Sequence, residues 1–140
     1  MLIAKYLWIN GAIIFIVLGS IHLFYTFFTN KFYSRNTHVN AEMKSSHPIL
    51  TQSTTIWKAW IGFNASHSIG VLFFGIINLY LSINHSDSLQ ADHFLLILNI
   101  LVAGFYVWLG KKYWFDVPFT GALITLVCYV LSYTLILIYH

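Results

Sequence analysis

Two histidines that stand inside apolar runs are the residues of this sequence best suited to do chemistry. His67 lies in WKAWIGFNASHSIG with Asn64 and Ser68 beside it, and His22 lies in GSIHLFYTFF. An imidazole acts as a general acid or base near neutral pH, and it ligates haem iron and other metals. Because ionisable groups are costly to keep within an apolar membrane helix, both histidines are candidate functional residues.

Helical spacing places each histidine on a polar face. Residues that are three or four positions apart lie on the same side of a helix. In the apolar run that contains His67, such steps relate Trp57, Trp60, Asn64, His67, Gly75 and Asn78. The same steps relate these members of the earlier run: Gly19, His22, Tyr25, Thr26 and Thr29. At 1.5 Å per residue, the two imidazoles lie roughly 10 and 13 Å inside the same membrane surface. We expect the two faces to turn towards each other or towards a wet cavity, since lipid offers polar groups no partner.

A buried polar site between these faces is therefore predicted. Its expected ligand-binding residues are His22, Tyr25, Trp60, Asn64, His67 and Ser68. Polar residues of two further apolar runs could complete the lining: Asn99, Tyr106, Thr125, Cys128 and Ser132. The alternative is that such residues only hold helices together, through interhelical hydrogen bonds of ~0.6 kcal/mol and small-residue series. One such series is Gly62, Ser66 and Gly70.

Composition identifies the elements that must position this site. Of 140 residues, 59% are hydrophobic and only 8% are charged, whereas soluble domains are about 25% charged. We predict an all-α protein, a four-transmembrane-helix bundle that forms a single integral membrane domain over residues 1–140. Its spans are predicted at about 7–28, 56–83, 93–109 and 119–139, with a polar loop over 29–55. The third span is the shortest.

Residues near the ends of the runs refine this arrangement. Gln52 to Thr55 can supply an N-cap for the second helix, and Pro118 suits the first turn of the last one. Aromatic residues match the belt expected at membrane interfaces, with packing as the alternative. They are Tyr6, Trp8, Trp57, Trp60, Tyr113, Trp114 and Tyr139.

The basic residues predict the orientation of a multi-pass protein in the cell membrane. The first and third loops, with the start of the second span, hold Lys31, Arg35, Lys44, Lys58, Lys111 and Lys112. The opposite side holds only Lys5. By the positive-inside rule, both termini are expected to be non-cytoplasmic. The net charge of +3 gives no reason to expect nucleic acid as a partner, and Cys128, being alone, excludes a disulfide within the chain.

The remaining histidines carry no assigned role. His38, His47, His85, His93 and His140 lie in loops or at the ends of spans, where a solvated imidazole costs nothing. His38 and His47 with Glu42 match no known metal-binding spacing. No metal is therefore assigned, except that His22 and His67 are the ligands expected if haem or a metal is present.

Two stretches resemble the motifs of a known family. GSIHLFYTFFTNKFYSR, residues 19–35, and MKSSHPILTQSTTIWKAWIGFNASHSIG, residues 43–70, are similar to an uncharacterised family of small bacterial four-helix integral membrane proteins. The resemblance covers about the first half of the chain. It implies four helices in a bacterial inner membrane, and it transfers no cofactor and no catalytic residue.

Three hypotheses for function follow. The first is an intramembrane polar pocket around His22 and His67 that binds a small lipophilic ligand, as carrier or as enzyme, with a histidine as acid or base. The second is a membrane redox module in which the two histidines ligate haem or a metal. The third is an accessory or structural subunit whose polar faces meet a partner subunit or a second copy in a homo-oligomer. The lipid bilayer is a partner in all three.

Overall fold

The computed structural model describes residues 2–139, and this part of the chain is all-α, with six helices and no strand. The helices are α1 (Leu2–Phe28), α2 (Thr37–Ser45), α3 (Ile56–Asn84), α4 (Ser86–Ala91), α5 (His93–Tyr113) and α6 (Asp116–Tyr139). Met1 and His140 lie outside the described residues, so the expectation for His140 is not addressed by the structure.

Four of these helices, α1, α3, α5 and α6, are long and apolar enough to cross a membrane. The predicted multi-pass, all-helical fold is thereby confirmed. The third span, the shortest in the prediction, continues to Tyr113 and reaches 21 residues. At 1.5 Å per residue it is roughly 32 Å long, which matches a hydrocarbon core of about 30 Å.

Three helices extend beyond the predicted membrane spans by three to five residues. Helix α1 begins at Leu2 rather than near residue 7, and α6 begins at Asp116 rather than at 119. Helix α5 ends at Tyr113 rather than at 109. The prediction counted only apolar residues, but helical hydrogen bonding continues beyond the apolar run, through Lys5 in α1 and through Lys111 and Lys112 in α5.

Capping explains where two of the long helices begin. Thr55 Oγ1 accepts a hydrogen bond of 3.3 Å from the backbone N–H of Lys58, so the predicted N-cap of α3 is present. Asp92 Oδ1 accepts one of 3.0 Å from the N–H of Leu95 at the start of α5. Pro118 lies in the first turn of α6, as predicted, where its missing N–H costs no helical bond.

Two short helices lie in segments that were predicted as loops. Helix α2 lies within the polar loop 29–55, and the side chain of Asn36 caps it by accepting a 3.0 Å hydrogen bond from the N–H of His38. Helix α4 follows α3 after a single residue. Both were missed because they are short, and α2 buries none of its residues.

The chain divides into two compact units. The first combines Met1–Leu18 with Val71–His140, and the second is Gly19–Gly70. Helices α1 and α3 contribute to both units. The prediction of a single integral membrane domain over residues 1–140 stays a prediction.

The first unit is a bundle of α1, α3, α5 and α6 around a buried aromatic pair. The Trp8 indole stacks on the Tyr129 ring with centroids 4.2 Å apart. Trp8 is only 2% exposed, which supports packing, the alternative given for this residue to a place in the aromatic belt. Gly11 allows the close approach of α1 and α6, because a Cβ there would lie 2.6 Å from Tyr129 Cε1.

Candidate functional site

Within the second unit, α1 and α3 bring His22 and Asn64 together. His22 Nε2 lies 3.0 Å from Asn64 Oδ1. The amide nitrogen of Asn64 donates a 2.8 Å hydrogen bond to the carbonyl of Trp60, which directs the amide oxygen towards the imidazole. Because an amide oxygen only accepts, Nε2 of His22 carries the proton and Nδ1 holds the lone pair. Asn64 therefore selects the tautomer of His22.

His67 lies in ring contact with His22. The two imidazole centroids are 5.3 Å apart, and the rings meet edge to face at 73°. The ring of Phe32 also packs against His22, with centroids 4.6 Å apart. His22 and His67 are both partly buried. The structure thus places a second imidazole, one amide and one phenyl ring against the His22 ring.

The other three predicted site residues have no described contact with the His22 ring. They are Ser68, Trp60 and Tyr25. Ser68 is fully buried, and its hydroxyl donates a 2.7 Å hydrogen bond to the carbonyl of Asn64 in the preceding turn. Trp60 contacts the site through its backbone carbonyl, and its side chain is 40% exposed. Tyr25 is half-buried, with its ring 6.4 Å from that of Phe32. Among the pairs described, the His22 ring is therefore in contact with Asn64, His67 and Phe32, while its backbone carbonyl accepts a 2.8 Å hydrogen bond from Thr26 Oγ1.

Phe32 is the site residue that sequence analysis missed. It follows the end of α1, inside the stretch predicted as a polar loop, where no helical spacing relates it to His22. The one available signal was the pair of adjacent aromatic residues, Phe32 and Tyr33, in an otherwise hydrophilic segment.

The polar residues considered as further lining find their described partners within the first unit. Asn78 Nδ2 donates a 2.7 Å hydrogen bond to Asn99 Oδ1. The hydroxyls of Thr125 and Ser132 donate across the bundle to the carbonyls of Gly11 and Ala4, at 3.2 and 2.8 Å. The Tyr106 ring packs 5.4 Å from Phe15, and Cys128 is partly buried. Asn78, Asn99, Thr125 and Ser132 thus bond helices of the first unit to one another.

A small cavity lies in the first unit. Its volume is about 10 Å³, and its lining includes Trp8, Ser82, Leu96 and Ser132 but none of the six predicted ligand-binding residues. A space of this size holds about one water molecule. It is too small for a lipophilic ligand.

Among residues 2–139, no group of three or more His, Cys, Asp or Glu side chains could hold a metal ion. His38 and Glu42 form an exposed i,i+4 pair with 3.5 Å between Nδ1 and Oε1. His22 and His67 offer two imidazoles, whereas zinc sites ordinarily use three or four protein ligands.

Comparisons with known proteins identify no relative: no protein-family model, no curated protein and no solved structure matches this chain. The resemblance of residues 19–35 and 43–70 to a bacterial membrane protein family therefore stays a prediction.

Proposed function

We propose that this small polytopic membrane protein binds a small lipophilic ligand at the intramembrane polar site of His22, Asn64 and His67. The observation that carries the proposal is the His22–Asn64 hydrogen bond with the His67 ring in contact beside it. A single hydrogen bond of ~0.6 kcal/mol would suffice to hold two helices together. A second, partly buried imidazole at the same point exceeds what helix packing requires, since ionisable groups at membrane depth are costly.

The chemistry of the site suits a lipophile that carries one polar group. With Nε2–H directed to Asn64, the His22 ring retains Nδ1 as its acceptor, to which a ligand hydroxyl can donate. The Phe32 ring supplies an apolar surface beside it. Ligand sites typically combine such apolar walls with a few fixed polar groups.

A metal or haem site is the second candidate, and the contact between two imidazoles is the observation that supports it. The described residues bring no third ligand of the His, Cys, Asp or Glu type to that point. If haem or another metal were bound, His22 and His67 would hold it, and it would supply redox chemistry. His22 directs Nε2–H to Asn64, so Nδ1 is the nitrogen of this ring that could ligate a metal, and the ring meets that of His67 edge to face. Because the described residues supply two imidazoles and no third ligand, the site favours the lipophile over a metal ion.

We also propose a bacterial inner membrane location with both termini non-cytoplasmic. Basic residues support this orientation: Lys111 and Lys112 lie in the last turn of α5, and Lys58 lies in the first turn of α3. If all four candidate helices cross the membrane in turn, these ends and the α1–α3 connection are expected on one side and Lys5 on the other.

The test is native mass spectrometry of the protein purified from membranes. The wild-type chain is expected to retain a lipophile, and His67→Ala is expected to lose it with little change in thermal stability. His67→Gln should keep its stability, because glutamine can still hydrogen-bond across helices. It should also lose the ligand, because glutamine is no base at neutral pH. Ser66→Ala is the matched control, since Ser66 is exposed on the same helix and its hydroxyl donates to the carbonyl of Phe63.

Three other results would point elsewhere. An absorption band of haem, or a stoichiometric metal, would favour the second candidate. Equal ligand retention by His67→Ala and wild type would remove His67 from the site. A protein that carries no lipophile, and whose His67→Ala variant loses only stability, would favour the accessory-subunit hypothesis.

A further inference from the structure

The segment between α2 and α3 forms a closed loop within the second unit. The N–H of Ile56, the first residue of α3, donates a 3.0 Å hydrogen bond to the carbonyl of Ser46. One step further along the loop, Nδ1–H of His47 donates to the carbonyl of Thr54 at 2.8 Å. These two bonds tie the base of the loop to the start of a membrane-spanning helix.

The tip of this loop holds two large apolar side chains in exposed positions. The N–H of Thr51 donates a 3.2 Å hydrogen bond to the carbonyl of Pro48, which closes a turn with Ile49 and Leu50 at its centre. Ile49 is 109% exposed and Leu50 is 93% exposed. Isolated exposed apolar residues are ordinary. Here a hydrogen-bonded turn exposes two adjacent ones, and removing their surface from water would lower the free energy.

The charge around the loop indicates which kind of surface could cover its apolar tip. Residues 29–58 contain four basic side chains, Lys31, Arg35, Lys44 and Lys58, and a single acidic one, Glu42. All four basic residues are exposed. Clusters of basic residues beside a membrane helix attract anionic lipid headgroups.

An aromatic cluster beside the loop has the residue types that are enriched at the membrane interface. Tyr33 and Trp57 meet edge to face with ring centroids 4.6 Å apart. Lys44 Nζ lies 5.6 Å from the Tyr33 centroid and 5.3 Å from that of Trp57. Tryptophan and tyrosine are enriched at the headgroup level, and Trp57 directly follows Ile56, to which the loop base is bonded.

We infer that Ile49 and Leu50 insert into the interface of an anionic bilayer leaflet, while the four basic side chains contact lipid phosphates. The loop is then a membrane anchor for the second unit, separate from the ligand site proposed above. A rigid turn suits this role, because little conformational entropy is lost when its two side chains enter the interface.

The experiment uses the full chain in nanodiscs, with an environment-sensitive fluorophore on Leu50→Cys in a Cys128→Ala background. In discs that contain phosphatidylglycerol, we expect a blue-shifted emission, quenching by brominated lipid and protection from iodide. Discs of phosphatidylcholine alone should show less of each. The label on Gln52→Cys, an exposed polar position of the same loop, should stay accessible to iodide in both.

Charge variants test the electrostatic part of the inference. Lys58→Gln should lower the ratio of inserted to exposed label by about fivefold in anionic discs, which is the effect expected for one basic residue near such a surface. Lys5→Gln, a control outside residues 29–58, should leave the ratio unchanged. Circular dichroism checks that each variant keeps its helix content.

Three outcomes would overturn the inference. The first is a Leu50→Cys label that stays open to iodide in anionic discs. The second is protection that persists in detergent and rises with protein concentration, which would indicate a second copy. The third is protection that arises only when cell extract is added, which would indicate a partner protein.

Discussion

Trp8 and Asn78 are joined by a hydrogen bond of 2.9 Å from the indole Nε1 to Oδ1, between α1 and α3 of the first unit. The same asparagine donates to Asn99 Oδ1 at 2.7 Å, and Asn99 donates to the carbonyl of Leu95 at 2.8 Å. Each donor in this series has an acceptor within the bundle. Trp8 and Asn78 are almost completely buried, so the series fixes three helices relative to one another.

Asn78→Leu is expected to destabilise the protein by about 1–3 kcal/mol, because it leaves the buried Trp8 N–H without an acceptor. Unfolding in a detergent titration measures the change. Asn10→Leu is the control, since Asn10 is exposed and its amide donates to the carbonyl of Tyr6 in its own helix. An Asn78→Leu variant as stable as Asn10→Leu would contradict the role of the hydrogen-bonded series.

Gly11→Ala is expected to lower the free energy of unfolding by about 1–3 kcal/mol, which is the usual cost of adding a carbon atom to a well-packed core. The new Cβ would lie 2.6 and 2.9 Å from two atoms of the Tyr129 ring, and that ring cannot withdraw easily because it stacks on Trp8. Gly104→Ala is the matched control, since a Cβ at Gly104 meets nothing within 4 Å.

For Gly104→Ala, we expect unchanged or slightly higher stability, because alanine favours a helix over glycine by up to about 1 kcal/mol. Equal melting temperatures for the two alanine variants would show that α1 and α6 can separate at Gly11 without cost.

The sequence was sufficient to predict the long helices and the faces that carry polar residues, but not the partners of those faces. Spacing placed Asn64, His67 and Asn78 on one side of α3. In the structure, Asn64 bonds to His22 whereas Asn78 bonds to Trp8 and Asn99. Periodicity defines a direction around a helix axis, and the partner depends on which helix lies in that direction at each depth.

The tautomer of His22 provides a spectroscopic prediction for the candidate site. In the wild-type protein, ¹⁵N chemical shifts of labelled histidine should identify His22 as the Nε2–H form, since Asn64 Oδ1 can only accept. Asn64→Leu should remove this preference and yield a mixture of tautomers. Ser66→Ala should not change it, because Ser66 bonds only to the carbonyl of Phe63 in the contacts described. An Nδ1–H form in the wild type would contradict the assigned hydrogen bond.

The final prediction concerns orientation, and it uses two exposed serines that lie in α2 and α4. If the basic α1–α3 connection is cytoplasmic, Ser45→Cys should be protected from an impermeant thiol reagent added to intact cells. Ser88→Cys, in the connection between α3 and α5, should be labelled under the same conditions. Both side chains are exposed in the structure, so their different reactivity would report the side of the membrane and not burial. The Cys128→Ala background removes the native thiol, and permeabilised cells provide the control in which both positions react. Labelling of Ser45→Cys with protection of Ser88→Cys would reverse the proposed topology and place both termini in the cytoplasm.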